Sequence, residues 1–405
     1  MGSLMYVVLL ALCLTVSAQQ CLPDFERIDC LPETGASEQA CLARGCTWCE
    51  SGADGLDVPS CYLPESYGYK IDGDVETTPK GFRLTLKRNT NISYFGDDAE
   101  TLNFEAEFQS NTRLRIKITD GTPRFEVPVE IGAASGGNAN PLYEVQTSNN
   151  PVFSFKVVRK STGAVLFDTS LGGLTFSNQF LQIATRLPTK NLYGIGENEQ
   201  HSFRHKFDQY YTWPLYTRDQ PPNSNDNMYS VHPRYTVLEN DGSAHGVVIM
   251  NSNAQEFITI PSPSLLYRTI GGILDIYFFF GPTPENVVEQ YTEAVGRTPL
   301  PPYWSLGFHL SRIGYGELER MIAAVNRTAA ARIPQDVQFG DSEIMERQLD
   351  FTIGPAFKDL PAYVQELKSK GIKFIPIQLR DPYGQKLPVI FQIIPSNPLG
   401  NGGIF

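Results

Sequence analysis

PPYWSLGFHLSRIGYGELERMIAAVNRTAAARIPQDVQFGDSEIMERQLDFT, residues 301–352, decides the fold. It reads strand, helix, strand. Trp304 to Leu310 is a short, mostly apolar run broken at Gly307, the pattern of a strand buried on both faces. From Gly316 to Arg332, Leu318, Met321, Ile322 and Val325 recur at helical spacing and an alanine run follows. Pro334 stops that helix, and Val337 to Phe339 begins a second strand that ends at Asp341. A strand, a crossover helix and a strand make a right-handed parallel unit. A carboxylate just past the carboxyl end of such a strand stands where α/β barrels keep their chemistry.

Downstream, Pro361 to Lys370 forms a second helix. Proline sits in its first turn, Leu360, Val364 and Leu367 share a face, and Gly371 closes it. Phe374 to Ile377 starts a third strand. A complete barrel has eight such units in about 250 residues, so residues 299–378 supply two and a fraction. Three open parallel strands leave an unpaired edge and an uncovered apolar face. The partial barrel is expected to be poorly stable unless a further segment or a partner covers it.

Upstream, residues 66–298 read as all β. Gly81–Arg88 and Arg113–Thr119 alternate apolar and polar residues, as half-buried strands do. Phe153–Val158, Gly163–Asp168 and Gly246–Asn251 add strands. Asp120-Gly121, Gly136-Gly137-Asn138 and Asp241-Gly242 punctuate them. Short strands at this spacing predict an antiparallel sandwich. His201 and His205 stand four apart, but Phe203–Phe207 alternates and no third ligand is evident, so both read as structural or surface histidines rather than a metal pair.

The amino terminus reads as a secretory signal over residues 1–18. Val7 to Val16 is apolar except for Thr15, too short to span a bilayer, and Val16-Ser17-Ala18 offers small residues for cleavage. No other stretch reaches spanning length, so the protein is expected to be secreted or luminal. After Cys13 leaves with the signal, Cys21, Cys30, Cys41, Cys46, Cys49 and Cys61 remain within residues 20–65. Six cysteines in so short an exported segment imply a disulfide-stapled module. Their spacing alone allows fifteen pairings, and Cys46-x-x-Cys49 also admits a zinc reading. Sequons stand at Asn91-Ile-Ser93 and Asn326-Arg-Thr328, the first in a polar turn, the second beside the apolar stripe of its helix. The formal net charge of -11 argues against nucleic-acid or anionic-membrane binding by bulk attraction.

Two resemblances give these regions names. PPYWSLGFHLSR followed by DVQ, an Asp and MERQLDFT resembles the opening of the catalytic barrel of the family 31 glycoside hydrolases, the α-glucosidases. RKSTGAVLFDTS, ATRLPTKNLYGIGENE and Tyr193-Gly-Ile-Gly196-Glu197 resemble the β domain that precedes that barrel. Arg27-Ile-Asp-Cys30, Cys41-Leu-Ala-Arg44-Gly45-Cys46 and Cys61-Tyr62 resemble a trefoil (P-type) domain. The family pairing implies Cys21–Cys49, Cys30–Cys46 and Cys41–Cys61, although Thr47 and Trp48 displace Cys49 from its usual place.

The resemblance implies a retaining hydrolase of terminal α-linked glucose on oligosaccharides, with no metal or organic cofactor. Its two catalytic aspartates come from later strands, and no WIDMNE-like segment occurs here, so no catalytic residue is assigned. Asp341 matches a carboxylate that holds hydroxyls of the terminal glucose, and Asp219, after Arg218 in YTWPLYTRD, matches a contact to the second sugar. The plainer alternatives are a helix cap for Asp341 and a solvated loop ion pair for Asp219. Ser342, Glu343 and Ile313 depart from the family pattern. From residue 379 the chain resembles nothing in the family; an altered reading frame, a retained intron or a truncated gene model is the expected origin. The second function class is a non-catalytic, glycan-binding trefoil and sandwich protein.

Overall fold

The computed structural model describes residues 21–53, 56–134, 137–218 and 228–378. The chain divides into two compact units at Arg297/Thr298. Among the described residues no helix is long and apolar enough to cross a membrane.

The first unit opens with the cysteine-rich module. Ser37 caps the helix Glu38–Arg44, and Gly45, at φ 87°, ends it in the left-handed conformation that glycine adopts without strain. Thr47–Trp48 pairs with Cys61–Tyr62. The disulfides are Cys21–Cys49, Cys30–Cys46 and Cys41–Cys61, the pairing implied by the trefoil resemblance, and they account for both sulfurs of the Cys46-x-x-Cys49 pair. The module is fastened to the sandwich. The Tyr210 hydroxyl donates to the carbonyls of Asp24 and Arg27 at 3.0 and 3.2 Å, and Arg186 pairs with Glu26 at 3.0 Å.

Two eight-stranded antiparallel sheets follow. One runs, in spatial order, from Leu192–Gly196 through His232–Leu238, Ala244–Ile249, Leu274–Phe279, Arg113–Thr119, Thr101–Ser110 and Gly81–Arg88 to Tyr69–Thr78. The other runs from Tyr211–Leu215 through Gln255–Ile260, Ser264–Thr269, Leu181–Arg186, Val165–Asp168 and Ser154–Arg159 to Tyr143–Ser148, with Thr175–Phe176 beside Leu181–Arg186. Alternation sets the faces: Leu114, Ile116 and Ile118 are wholly buried, while Arg115 and Lys117 between them are not. The inward side chains meet in one core that includes Phe104, Phe155, Phe167 and Phe278. Phe104 and Phe155 lie 5.2 Å apart between centroids, and Phe167 meets Phe278 edge to face at 5.2 Å. Burial of each such ring contributes roughly 1.5–3 kcal/mol.

Among its described residues the second unit holds three parallel strands, in spatial order His309–Leu310, Val337–Gly340 and Lys373–Pro376. The crossover helices are Leu318–Ala330 and Leu360–Ser369. Their apolar faces, with Met321, Val325, Tyr363 and Leu367, build a small core that also takes in Tyr315, Ile344 and Phe357. The first strand differs from the sequence expectation of Trp304–Leu310. Tyr303–Leu306 is a 3-10 turn, and only His309 and Leu310 join the sheet. Pro302 starts the turn, and its carbonyl accepts both the Ser305 N–H at 2.9 Å and the Ser305 hydroxyl at 2.7 Å. The Gly307 N–H likewise bonds the Trp304 carbonyl at 3.3 Å, so these two donors are met within the turn rather than in a ladder. Its apolar side chains stay outside, with Tyr303 92% and Leu306 66% exposed.

Candidate functional site

The middle strand of the parallel sheet ends at Gly340, and Asp341 follows at its carboxyl end. Asp341 is half-buried. Its Oδ1 accepts the Ser342 N–H at 2.7 Å and so caps the short turn Ser342–Ile344. The cap uses one oxygen; among the described residues Oδ2 has no hydrogen-bond partner. Capping and ligand recognition are therefore compatible in this one carboxylate.

The layer beneath is tied by side-chain hydrogen bonds. Gln338 is fully buried, and its side-chain amide donates to the Phe339 carbonyl at 2.8 Å. Gln335 in turn donates to the Gln338 side-chain oxygen at 3.1 Å. Next to it, on the first strand, His309 stacks with Trp304 at 6.3 Å and packs against Phe339 at 5.9 Å. Sequence reasoning noted Glu343 only as a departure from pattern. In the structure its carboxylate receives the main-chain N–H groups of Gly314, Tyr315 and Gly316, in the loop that leaves the first strand.

Asp219 lies outside the described residues. The ends of its loop are held in the sandwich unit. Arg218 N donates to the Met228 carbonyl at 2.9 Å. The YGxGE motif then has a structural role that its resemblance alone did not reveal. Glu197 Oε2 accepts both the N–H and the hydroxyl of Ser230, at 3.0 and 2.8 Å, pinning the chain just beyond that loop. Leu192–Gly196 is a strand whose register shifts between Gly194 and Gly196. A Cβ at Gly194 would lie 2.5 Å from the Arg234 carbonyl, so the close pairing there requires glycine. Beside the loop base is a cavity of about 610 Å³ whose walls include Tyr216, Tyr229, His232 and Tyr291. His232 Nε2 and the Tyr291 hydroxyl are 2.9 Å apart.

The remaining candidates are placed as follows. Asn91 and Asn326 are both exposed. His201 is exposed, while His205 is buried with Nε2 2.7 Å from the Gly194 carbonyl and its ring edge-on to Trp213. Burial pushes the His205 pKa below its ordinary value, the hydrogen bond to Gly194 opposing this in part.

A group the sequence did not signal at all lies inside the sandwich. Arg159 Nη2 and Nε bond the two oxygens of Glu239 at 2.6 and 2.8 Å, and His245 Nδ1 is 3.0 Å from Glu239 Oε1. All three are buried. Burial alone would raise the Glu239 carboxyl, but its bonds to His245 and Arg159 outweigh that and hold it down at about 2. Burial pushes His245 down as well. The network ties the strand Ser154–Arg159 of one sheet to Ala244–Ile249 of the other, with Glu239 between them, and so cross-links the two layers.

Comparison with known proteins bears on most of the chain. Residues 298–390 match the model of the glycosyl hydrolases family 31 TIM-barrel domain, and residues 19–64 that of the trefoil (P-type) domain. Intestinal sucrase-isomaltase of Oryctolagus cuniculus is 40% identical over 370 residues, which are 89% of this chain and 20% of that protein. Lysosomal alpha-glucosidase of Mus musculus is 38% identical over 366 residues, 88% of this chain and 38% of that protein. The chain thus spans well under half the length of either relative. The fold is shared with the crystal structure of the glucosidase II alpha subunit in its Glc1Man2-bound form, at a TM-score of 0.62 and 17% identity, over 78% of this chain and 44% of that one. With a trefoil domain ahead of two large antiparallel sheets and a barrel segment that matches the family model, the chain is similar to the N-terminal part of family 31 glycoside hydrolases.

Proposed function

We propose that this chain is the N-terminal portion of a secreted or luminal retaining α-glucosidase, acting on terminal α-linked glucose of oligosaccharides. Residues 20–65 form its trefoil domain, 66–298 its sandwich and 299–378 the first part of its barrel, after a signal at 1–18; the family match runs on to residue 390, into the segment 379–405 read from the sequence as an unrelated tail. The observation that carries the reading is Asp341, at the carboxyl rim of a parallel sheet, with one carboxylate oxygen that has no hydrogen-bond partner among the described residues. An ionised carboxylate accepts hydroxyl hydrogens in short, charge-assisted bonds, which suits a sugar edge. Asp219 is a second substrate contact in this reading, and Asn91 and Asn326 carry glycans. No metal or organic cofactor is required.

Retaining hydrolysis needs a nucleophilic carboxylate and an acid/base carboxylate about 5 Å apart. In this reading neither lies within residues 1–405. The chain should bind maltose without cleaving it, and Asp341→Asn should abolish the binding. Release of glucose from maltose by the purified 405-residue chain would overturn the assignment of its catalytic groups elsewhere. Specific binding of other glycans with no preference for a terminal α-glucose would favour the non-catalytic lectin reading instead.

A further inference from the structure

We propose that Glu343 is a positioning residue for the sugar subsite at Asp341, acting through the loop that leaves the neighbouring strand. The inference rests on the reading of Asp341 as a sugar contact. His309–Leu310 pairs in parallel with Val337 and Gln338, so the loop after Leu310 and the turn after Gly340 leave the sheet at the same edge. Glu343 joins them. Its Oε1 accepts the N–H groups of Gly314 and Tyr315 at 3.1 and 2.8 Å, and its Oε2 that of Gly316 at 2.7 Å. Gly314 and Gly316 sit at φ 94° and 74°, and these left-handed residues turn three successive N–H groups toward one anion. Tyr315, between them, is 1% exposed and belongs to the small core beneath.

The held loop presents Ile313, which is 65% exposed. An apolar side chain and an open carboxylate on one rim match the two faces of a pyranose, its C–H surface and its hydroxyl edge. Fixing the loop before a sugar arrives removes an ordering cost from binding. A cap for the helix Leu318–Ala330 would be the purely structural role, but the carboxylate reaches the loop two residues ahead of that helix's first residue, and Glu317 occupies the cap position.

The test uses the full chain in four variants. Glu343→Gln leaves one acceptor oxygen where the site uses two. Gly314→Ala bends the loop without touching Glu343, since a Cβ there meets nothing within 4 Å. Asp341→Asn removes the sugar contact, and Glu346→Gln is a charge control at an exposed neighbour. Amide hydrogen exchange of residues 311–317 and NMR titration with maltose are read on each. In Glu343→Gln and Gly314→Ala, exchange at 314–316 should quicken roughly tenfold, the factor equivalent to about 1.4 kcal/mol. Maltose affinity should fall by a similar factor in both, while Glu346→Gln matches the wild type. Unchanged exchange in both variants would overturn the clamp. Faster exchange with wild-type maltose affinity would make Glu343 structural only and overturn positioning. If Asp341→Asn binds maltose as the wild type does, the sugar reading of Asp341 fails, and the exchange result alone then judges the clamp.

Discussion

The sandwich and the barrel segment bury their apolar side chains in different ways. In the sandwich each sheet supplies the cover for the other. Every second residue of strands such as Arg113–Thr119 turns inward, and the rings of Phe104, Phe155, Phe167 and Phe278 come from both sheets. Among the described residues of the barrel segment the sheet is three short strands, and its core forms between the strands and two helices. Leu300, Tyr303, Leu306 and Ile313 are left 65–92% exposed. A closed pair of layers satisfies its own burial, whereas an open parallel sheet depends on what lies beyond its edge. The difference predicts that the two regions lose structure separately, and mutations can test that.

The largest effect is expected from Arg159→Leu. It leaves Glu239 buried with only His245 as a partner, and breaking a buried pair in this way costs roughly 3–5 kcal/mol. Urea unfolding followed by tryptophan fluorescence, with exchange mass spectrometry on Arg113–Thr119, should show the loss across both sheets. A loss below about 1 kcal/mol would mean that the network contributes little. Next comes Leu367→Ala, which truncates a wholly buried side chain in the barrel segment at about 3 kcal/mol. Exchange should quicken in residues 318–376 and stay as before in the sandwich. Equal quickening in both regions would show that they unfold as one and would break the contrast.

Acid comes third. The folded Glu239 carboxyl sits at about 2, below its ordinary value, so its contribution is present above about 4.5 and fades as pH falls toward 2. His245 is also held below its ordinary value, so the unfolded chain takes up that proton first. Stability then begins to drop as pH falls through about 6.5. Both signs agree: the sandwich weakens with acid, by on the order of 2–3 kcal/mol from Glu239. Denaturant midpoints at pH 7, 5 and 3 should track this decline, and Glu239→Gln should flatten its lower limb.

How much of this was legible in the sequence depends on whether a side chain's role follows from its near neighbours. Leu114, Ile116 and Ile118 announce their face by alternation. Asp341 announces its place because a strand, a helix and a strand precede it. Trp304–Leu310 misled, since apolar content suggested a buried strand while Pro302 and Ser305 close a local turn. Arg159, Glu239 and His245 give no periodic signal; they meet only because distant strands pack together. Glu343 was legible as a residue but not as a clamp, because its three partners are backbone N–H groups that no sequence pattern displays. The ends of the Asp219 loop are similar: Glu197 grips Ser230 from a motif that reads locally as a turn.

The smallest expected effect lies at the helix starts, where the same contrast appears on a finer scale. Thr283, ahead of the sandwich unit's helix Pro284–Val295, accepts the Asn286 N–H through its hydroxyl at 3.2 Å. Glu317, ahead of Leu318–Ala330, has the extended backbone of a cap but makes no side-chain cap bond. Its carboxylate instead pairs with Arg320 at 2.9 Å, with both groups largely in water, where an ion pair is worth little. Thr283→Ala should therefore cost about 1 kcal/mol, and Glu317→Ser should gain up to about that much by meeting an open N–H in the first turn. Thermal unfolding of the two variants gives the comparison. A loss on Glu317→Ser would mean that the Arg320 pair, exposed as it is, outweighs a cap, and that the barrel segment draws more from its surface charges than its geometry indicates.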